Sequence, residues 1–266
     1  MIKVGFIGSG NMGTALAKAA KKCADAEIYL YDKDEARAEK TASEISAKVA
    51  SNTEIAKICD YIFLAVKPNI IPIAAKEISD VLKERSGYTV VSMAAGISLA
   101  ALEGAFEGID APIIRIMPNT PAAYGEGMML VCDNGKVSQE ALCGFQKIME
   151  KSGRLDSIPE ALIDAASAVS GCGPAFVYMF IEALADGGVA CGLPRDKALD
   201  FAAQTLLGAA KTVMESGIHP EALKDAVCSP GGTTIAGVHA LEEGAFRASA
   251  SNAVIAAYKR TLELKR

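Results

Sequence analysis

The residues best placed to do chemistry lie near the two ends of the chain. Towards the C-terminus, Cys228 to Gly237 reads CSPGGTTIAG, with a proline, two glycines and two threonines between segments that otherwise read as helix. An ordinary turn needs fewer permissive residues. Ser229, Gly231, Gly232, Thr233 and Thr234 lead into a helix running towards Glu243, so backbone amides converge where that helix begins. Such a terminus holds a small anion well, a carboxylate above all. Ser229 adds a hydroxyl, the glycines let the backbone close around the anion, and Thr234 is left to hydrogen-bond a neighbouring ring nitrogen. The competing reading is an elaborate N-cap with a tight turn.

At the other end, VGFIGSGNMG places Gly8, Gly10 and Gly13 in the pattern G-x-G-x-x-G, directly after a strand and at the opening of a helix. The first glycine permits the tight turn, the second lets backbone approach a pyrophosphate, and the third lets helix and strand pack closely. Together with Ser9, Asn11 and Met12 it forms the expected dinucleotide site; a glycine-rich turn without a ligand is the alternative. The next strand, EIYLYD, ends in Asp32. A carboxylate there accepts hydrogen bonds from ribose hydroxyls and repels a 2′-phosphate, which leans the choice between NADPH and NADH towards NADH. An N-cap for the helix starting near Asp34 is the structural alternative, and Lys33 could offset the repulsion. Asn52, Ala65, Lys67, Ala95 and Asn119 all fall at or just beyond strand ends, where open α/β sheets bind ligands. For Lys67 the alternative is a solvated surface residue, and for Asn119 a turn residue between prolines.

What is missing narrows the reaction. There are two histidines: His219 precedes a proline at a helix start, and His239 lies within a helix without an evident acid partner. No G-x-S-x-G, H-E-x-x-H or P-loop occurs, so triad, zinc and nucleotide hydrolysis have no support. Seven cysteines without a C-x-x-C pair read as reduced thiols in the cytoplasm, and no metal is expected. The net charge of −5 and the lack of a basic patch argue against nucleic acid. Redox chemistry remains. Without a strong general base, its substrate should carry its own proton, as a protonated cyclic imine does.

These residues need elements to position them. From Ile2 to about Leu155, strand-like runs alternate with helical ones: IKVGFIG, TALAKAAKK, EIYLYD, DEARAEKTASEI, then YIFLAV, YTVVSM and PIIRIM. The strands are apolar throughout, so both faces must be covered, and a parallel sheet flanked by helices follows. After about Pro159 the strand signals stop. Helix boundaries then fall at Gly192 with Pro194, at Gly217 with Pro220, and at Gly244. The stretch AFVYMFIEALADGGVACGL, interrupted by Glu182 and Asp186, reads as a core helix and not as a membrane span. The expected architecture is an α/β N-terminal Rossmann-like domain with a mainly parallel sheet over residues 1–159, followed by an all-α domain over 160–266. The small residues of the second part suit close helix packing in a bundle or an intertwined oligomer. MIKVGFIGSG is a poor signal peptide and a good first strand, so a cytoplasmic location is expected.

Seven segments, FIGSGNMG, FLAVKP, AAGIS, MPNTPA, VSGCGPAF, EALADGGVACGLP and SPGGTT, occur in one order along essentially the whole chain. That order, and the run ALKDAVCSPGGTTIAGVHALEEGAFR in particular, resembles the pyrroline-5-carboxylate reductase family. The resemblance implies a helical dimerisation domain, a homodimer or a ring of dimers with the active site at the dimer interface, and hydride transfer from NADPH or NADH to 1-pyrroline-5-carboxylate. It also implies that the Gly8 to Gly13 loop, Asn52, Ala65, Lys67, Ala95 and Asn119 contact the cofactor. Ser229, Gly231, Gly232 and Thr233 would hold the substrate carboxylate, Thr234 would bond its nitrogen, and the Ser170 to Pro174 turn would border the nicotinamide. Two positions depart from the family pattern: Cys172 stands where serine is common, and Asp32 where NADPH-preferring relatives carry a small polar or basic residue. Two other functions fit part of the pattern. A 3-hydroxy acid dehydrogenase would need a catalytic lysine early in the inter-domain helix, and there is none between Phe176 and Asp186. A non-catalytic dinucleotide sensor would have no need of SPGGTT.

Overall fold

A computed structural model describes residues 1–264. Eight strands form one sheet: β1 (Ile2–Ile7), β2 (Ala26–Tyr31), β3 (Lys48–Val49), β4 (Tyr61–Leu64), β5 (Thr89–Ser92), β6 (Ile113–Met117), β7 (Gly127–Asp133) and β8 (Gly153–Ser157). Their order is β3-β2-β1-β4-β5-β6-β7-β8, and every neighbouring pair is parallel except β6 with β7. Residues of β4 and β5 are buried at every position, as strands covered on both faces must be. Six helices accompany them: α1 (Asn11–Lys21), α2 (Glu35–Ile45), α3 (Asn52–Ile58), α4 (Ile71–Lys83), α5 (Leu99–Ala105) and α6 (Gln139–Met149).

The alternation of side chains along the strands produces two cores. Phe6, Phe63 and Ile114 pack with Leu16 of α1 and Phe145 of α6, and Phe6 stacks on Phe63 with ring centroids 4.4 Å apart. Their sequence neighbours Ile7, Ile62 and Ile113 pack with Ile55 of α3, Ile78 of α4 and Leu102 of α5. The mainly parallel sheet expected from the sequence is therefore present. Strands β3, β7 and β8 were not legible in it: β3 has two residues, β7 hides its apolar run behind glycine and methionine, and β8 (GRLDS) has hardly any.

Strand β6 also carries a buried charge. Arg115 is 1% exposed, its Nη1 lies 2.6 Å from Glu160 Oε1, and its Nη2 lies 3.7 Å from Asp164 Oδ1. The same Glu160 oxygen accepts the Leu99 amide at the start of α5. Two residues beyond β6, Asn119 donates from Nδ2 to the Ser170 carbonyl and accepts the Met128 amide on Oδ1. These bonds grip both ends of α7 (Ile163–Ser170).

That grip explains the division of the chain. One compact unit comprises Met1–Cys172 and the chain from Tyr258; the other is Gly173–Ala257. Helix α7 goes with the sheet although its composition resembles the helical part. The second unit holds α8 (Gly173–Ala190), α9 (Arg195–Ser216), α10 (Pro220–Val227), α11 (Thr233–Glu243) and the first part of α12 (Phe246–Leu264). Its helix stops are those read from the sequence: Gly217 caps α9 in the left-handed region at φ 65°, Pro220 opens α10, and Gly244 caps α11.

One expectation needs correcting. Helix α8 is not a core helix, because only its Ala185 is buried, against Ala198 and Ala202 of α9, while Tyr178 and Met179 face outwards. Helices α11 and α12 bury no residue at all. Large apolar side chains of this unit are left exposed, Phe201 and Leu207 of α9 among them.

Arg115 generates a stability prediction. Arg115→Met should leave Glu160 and Asp164 without their cation and cost about 3 kcal/mol. Thermal unfolding at matched protein concentration should show a lower midpoint, and an unchanged midpoint would show that the network contributes nothing.

Candidate active site

The loop between β1 and α1 is shaped by contacts that leave one glycine over. A Cβ on Gly8 would sit 2.5 Å from the Ala65 carbonyl oxygen, and one on Gly13 would sit 2.5 Å from the Gly8 carbonyl oxygen. Packing alone demands both. At Gly10 a Cβ would meet nothing within 4 Å, and its φ of −65° suits any residue. The chain has no internal need of a glycine there, and no side chain caps α1. A space is left in front of unpaired amides, as an approaching pyrophosphate requires.

Asp32 closes this loop. Its Oδ2 accepts the Ser9 amide at 2.7 Å and the Ser9 hydroxyl at 3.0 Å, its Oδ1 accepts the Asp34 amide at 3.0 Å, and Arg37 Nη1 lies 4.0 Å away. The cap of α2 is Asp34 itself, accepting the Arg37 amide, so Asp32, two residues before it, is not the N-cap. Burial pushes the Asp32 carboxyl up, but the amides of Asp34 and Ser9, the Ser9 hydroxyl and Arg37 outweigh it and hold it below its ordinary value. The group therefore stays ionised at neutral pH. Its contribution to stability is present above the ordinary carboxylate pKa and is lost as pH falls through the lowered folded value.

A cleft of about 510 Å³ brings together Gly8, Gly10, Asp32, Asn52, Ala65 and Lys67 from the sequence-predicted set. It also brings in Lys33 and Arg37, and from the start of α4 Ile70, Ile73, Ala74 and Glu77. Of these additions only Lys33 was weighed in the sequence. Arg37 lies in the first turn of α2, and the other four follow a helical spacing after Pro68 that becomes informative once α4 is known to border a ligand site. The remaining candidates lie elsewhere. Ser9 is buried beneath the loop and, with Asn11, borders a second hollow on the α1 side. Met12 packs against the core, Ala95 is exposed in the turn after β5, and Asn119 spends its amide on Ser170 and Met128.

The other predicted cluster, in the second unit, has its own geometry. The Gly232 amide donates to the Ser229 carbonyl at 3.0 Å, Gly231 takes φ 67°, and Gly232 stands as the N-cap of α11 without any side-chain cap bond. Ser229 and Thr233 are exposed and Thr234 is half-buried. The elaborate-cap alternative predicts a capping hydroxyl, and none is present. A groove of about 410 Å³ runs from Gly231 and Gly232 past His239 to Glu243. His239 does have an acid beside it, correcting the sequence reading: its Nδ1 lies 3.4 Å from Glu243, one turn on.

Among the described residues, two thiols are held protonated by burial and no metal-holding cluster forms. All seven cysteines are free, and burial pushes the Cys59 thiol up to about 12 and the Cys132 thiol to about 11, where little thiolate exists. No group of three histidine, cysteine or acidic side chains is arranged to hold a metal.

Comparison with known proteins places this arrangement. Residues 160–264 match the family model described as pyrroline-5-carboxylate reductase dimerisation, and residues 3–96 match one described as NADP oxidoreductase, coenzyme F420-dependent. The chain is 42% identical over 268 residues to a pyrroline-5-carboxylate reductase of Escherichia coli, covering 99% of this chain and 98% of that one. The chain belongs to the pyrroline-5-carboxylate reductase family. A pyrroline carboxylate reductase of Plasmodium falciparum, solved with NADP bound, is 34% identical with a TM-score of 0.88, covering 100% of this chain and 98% of that one. A family structure from Coxiella burnetii gives 30% identity and a TM-score of 0.90, covering 99% and 98%.

The residues present fit a nicotinamide dinucleotide. The space at Gly10, the uncapped start of α1, and Lys33, Lys67 and Arg37 along the cleft are suited to its phosphates. The two glycines should separate by experiment. Gly10→Ala should leave the melting temperature unchanged and weaken NADP⁺ or NAD⁺ binding about tenfold in calorimetry, since only the ligand meets the added methyl. Gly13→Ala should lower the melting temperature, because the clash is with backbone.

Proposed function

We propose that this chain transfers a hydride from NADH or NADPH to 1-pyrroline-5-carboxylate, giving L-proline, the last step of proline biosynthesis. The single observation that carries the reading is the uncapped, glycine-built start of α11, flanked by Ser229 and Thr234, in a chain alike over its full length to reductases of this name. A dinucleotide sensor has no use for a carboxylate nest. A 3-hydroxy acid dehydrogenase would call for a lysine that α8 lacks between Phe176 and Asp186.

The bound cofactor supplies the hydride; the chain supplies position and charge. Ser229, Gly231, Gly232 and Thr233 hold the substrate carboxylate through amides and a hydroxyl at the positive end of α11. Thr234 accepts the iminium N–H on its hydroxyl oxygen and orients the ring. No side chain need remove a proton, because the protonated imine carbon is already electrophilic, so orientation provides most of the acceleration. On the cofactor side Gly8 to Gly13 take the pyrophosphate, and Asp32, Asn52, Ala65 and Lys67 take the adenosine half. Ala95 and Asn119, beyond the ends of β5 and β6, belong towards the nicotinamide, with the Ser170 to Pro174 turn at its face.

Residues 1–159 then bind the dinucleotide, while 160–266 pair two copies and hold the substrate. The match of 160–264 to a dimerisation family supports this, as do the outward Tyr178, Met179, Phe201 and Leu207 of α8 and α9. Two copies pair through these faces and complete the active site at their interface, as a homodimer or as a ring of dimers. The stretch Glu160–Ala190 is long and apolar enough to cross a membrane by length and composition alone, yet Glu182 and Asp186 interrupt it, and pairing covers the same surface. Free thiols throughout the described residues suit the cytoplasm.

The test is loss of reduced-nicotinamide absorbance with 1-pyrroline-5-carboxylate, run with NADH and NADPH and with proline identified as product. Cofactor binding without turnover would sink the reductase reading. Thr234→Ala should lower kcat/KM about a hundredfold with cofactor affinity intact; an equal loss of cofactor affinity would remove Thr234 from the substrate site. Asp32→Ser should shift the preference towards NADPH, since Lys33 and Arg37 remain beside the 2′ position. An unchanged ratio would reduce Asp32 to a brace for Ser9.

A further inference from the structure

The cleft has an end that its phosphate chemistry does not use. Ile70, Ile73, Ala74 and Glu77, spaced at i, i+3, i+4 and i+7, turn one stripe of α4 and the residue before it towards the cleft. Ile73 is 55% exposed and Ile70 36%, so two branched apolar side chains stand open to water on the wall of a ligand cleft. They offer a surface for a flat apolar group. One turn further along the stripe is Glu77, whose Oε2 receives a hydrogen bond from Asn52 Nδ2. A carboxylate can only accept, so this bond orients the Asn52 amide with its nitrogen towards Glu77. The Asn52 oxygen is then a second acceptor, and it is buried without any hydrogen-bond partner in a residue 7% exposed. Glu77 makes no ion pair among the described residues, so its charge has no internal cation to answer it.

The ligand group that belongs here follows by charge and by shape. A phosphate is repelled by Glu77 and is served instead by the loop amides, Lys33 and Arg37. Asp32, at the end of β2, marks this side of the sheet as the adenosine half. Adenine is the flat, weakly polar part of that half, and its exocyclic amine carries two N–H donors on one edge. The exposed Glu77 carboxylate, held by Asn52 beside an apolar wall, is complementary to that edge and hostile to a 6-oxo purine, which puts an acceptor against an acceptor.

We propose that Glu77, oriented by Asn52, is the residue through which this chain recognises the adenine amino group of its dinucleotide, with Ile70 and Ile73 as the surface under the ring. The proposal rests on the dinucleotide reading of the cleft and adds a base specificity to it. Glu77 is a recognition residue and Asn52 a positioning one.

The experiment compares NAD⁺ with nicotinamide hypoxanthine dinucleotide, which differs only in carrying oxygen for the amine, by calorimetric titration of the full chain. The unaltered protein should bind the adenine form about tenfold more tightly. Glu77→Ala should bring that ratio close to one. Glu77→Gln, which keeps the side-chain shape and a partner for Asn52, should do the same while turning an N–H towards the 6-oxo group. A melting temperature recorded for each variant separates loss of recognition from loss of fold, and a purely structural role for Glu77 would weaken both ligands alike. Equal binding of the two dinucleotides by the unaltered protein, or an unaltered ratio in both variants, overturns the proposal. Failure of both dinucleotides, and of NADP⁺, to bind overturns the cofactor reading beneath it.

Discussion

The carboxylate of Asp32 on the Ser9 amide is the contact on which the cofactor side of this molecule depends. It joins the end of β2 to the middle of the glycine loop and so holds the first-turn amides of α1 clear of side chains. Close approach of Gly13 to the Gly8 carbonyl sets the helix down on the strand, and the same approach forbids any Cβ there. Between these two contacts lies Gly10, where an added Cβ would meet nothing. A loop braced on both sides and bare in the middle is preorganised for an anion, and binding then costs little reordering.

A second constraint acts through β6. Burying an arginine is costly unless acids answer it, and Glu160 and Asp164 do so from the segment that leads into α7. Asn119 takes hold of the other end of that helix at Ser170. One strand thus places a whole helix and, at its end, the turn at Cys172. The cysteine at this position offers a weaker donor than serine would, and the backbone of the turn is positioned regardless of which of the two stands there.

The second unit follows a different logic. Its helices begin and end cleanly, yet α8 buries one residue, and α11 and α12 bury none. Apolar side chains left open on this scale mark a surface meant for another protein. Residues 160–264 match a dimerisation family, and the occupant proposed for that surface is a second copy of the chain.

Local rules decided what the sequence alone could show. The strand–loop–helix around Gly8, the stops at Gly217 and Pro220, and the permissive turn ahead of α11 were legible because each depends on residues within a few positions of one another. The seven ordered segments made the family legible in the same way. Tertiary structure alone decided the rest. That Asp32 braces Ser9, that Asn119 spends its amide on Ser170, and that Glu77 meets Asn52 all require partners 23 to 51 residues apart to be brought together by strand order. The antiparallel β7 and the short β8 were hidden because their pairing comes from neighbours and not from their own composition. Helix α8 was misjudged as core for the same reason: an apolar pattern says that a face will be covered, and only the packed structure says whether the cover lies within the chain.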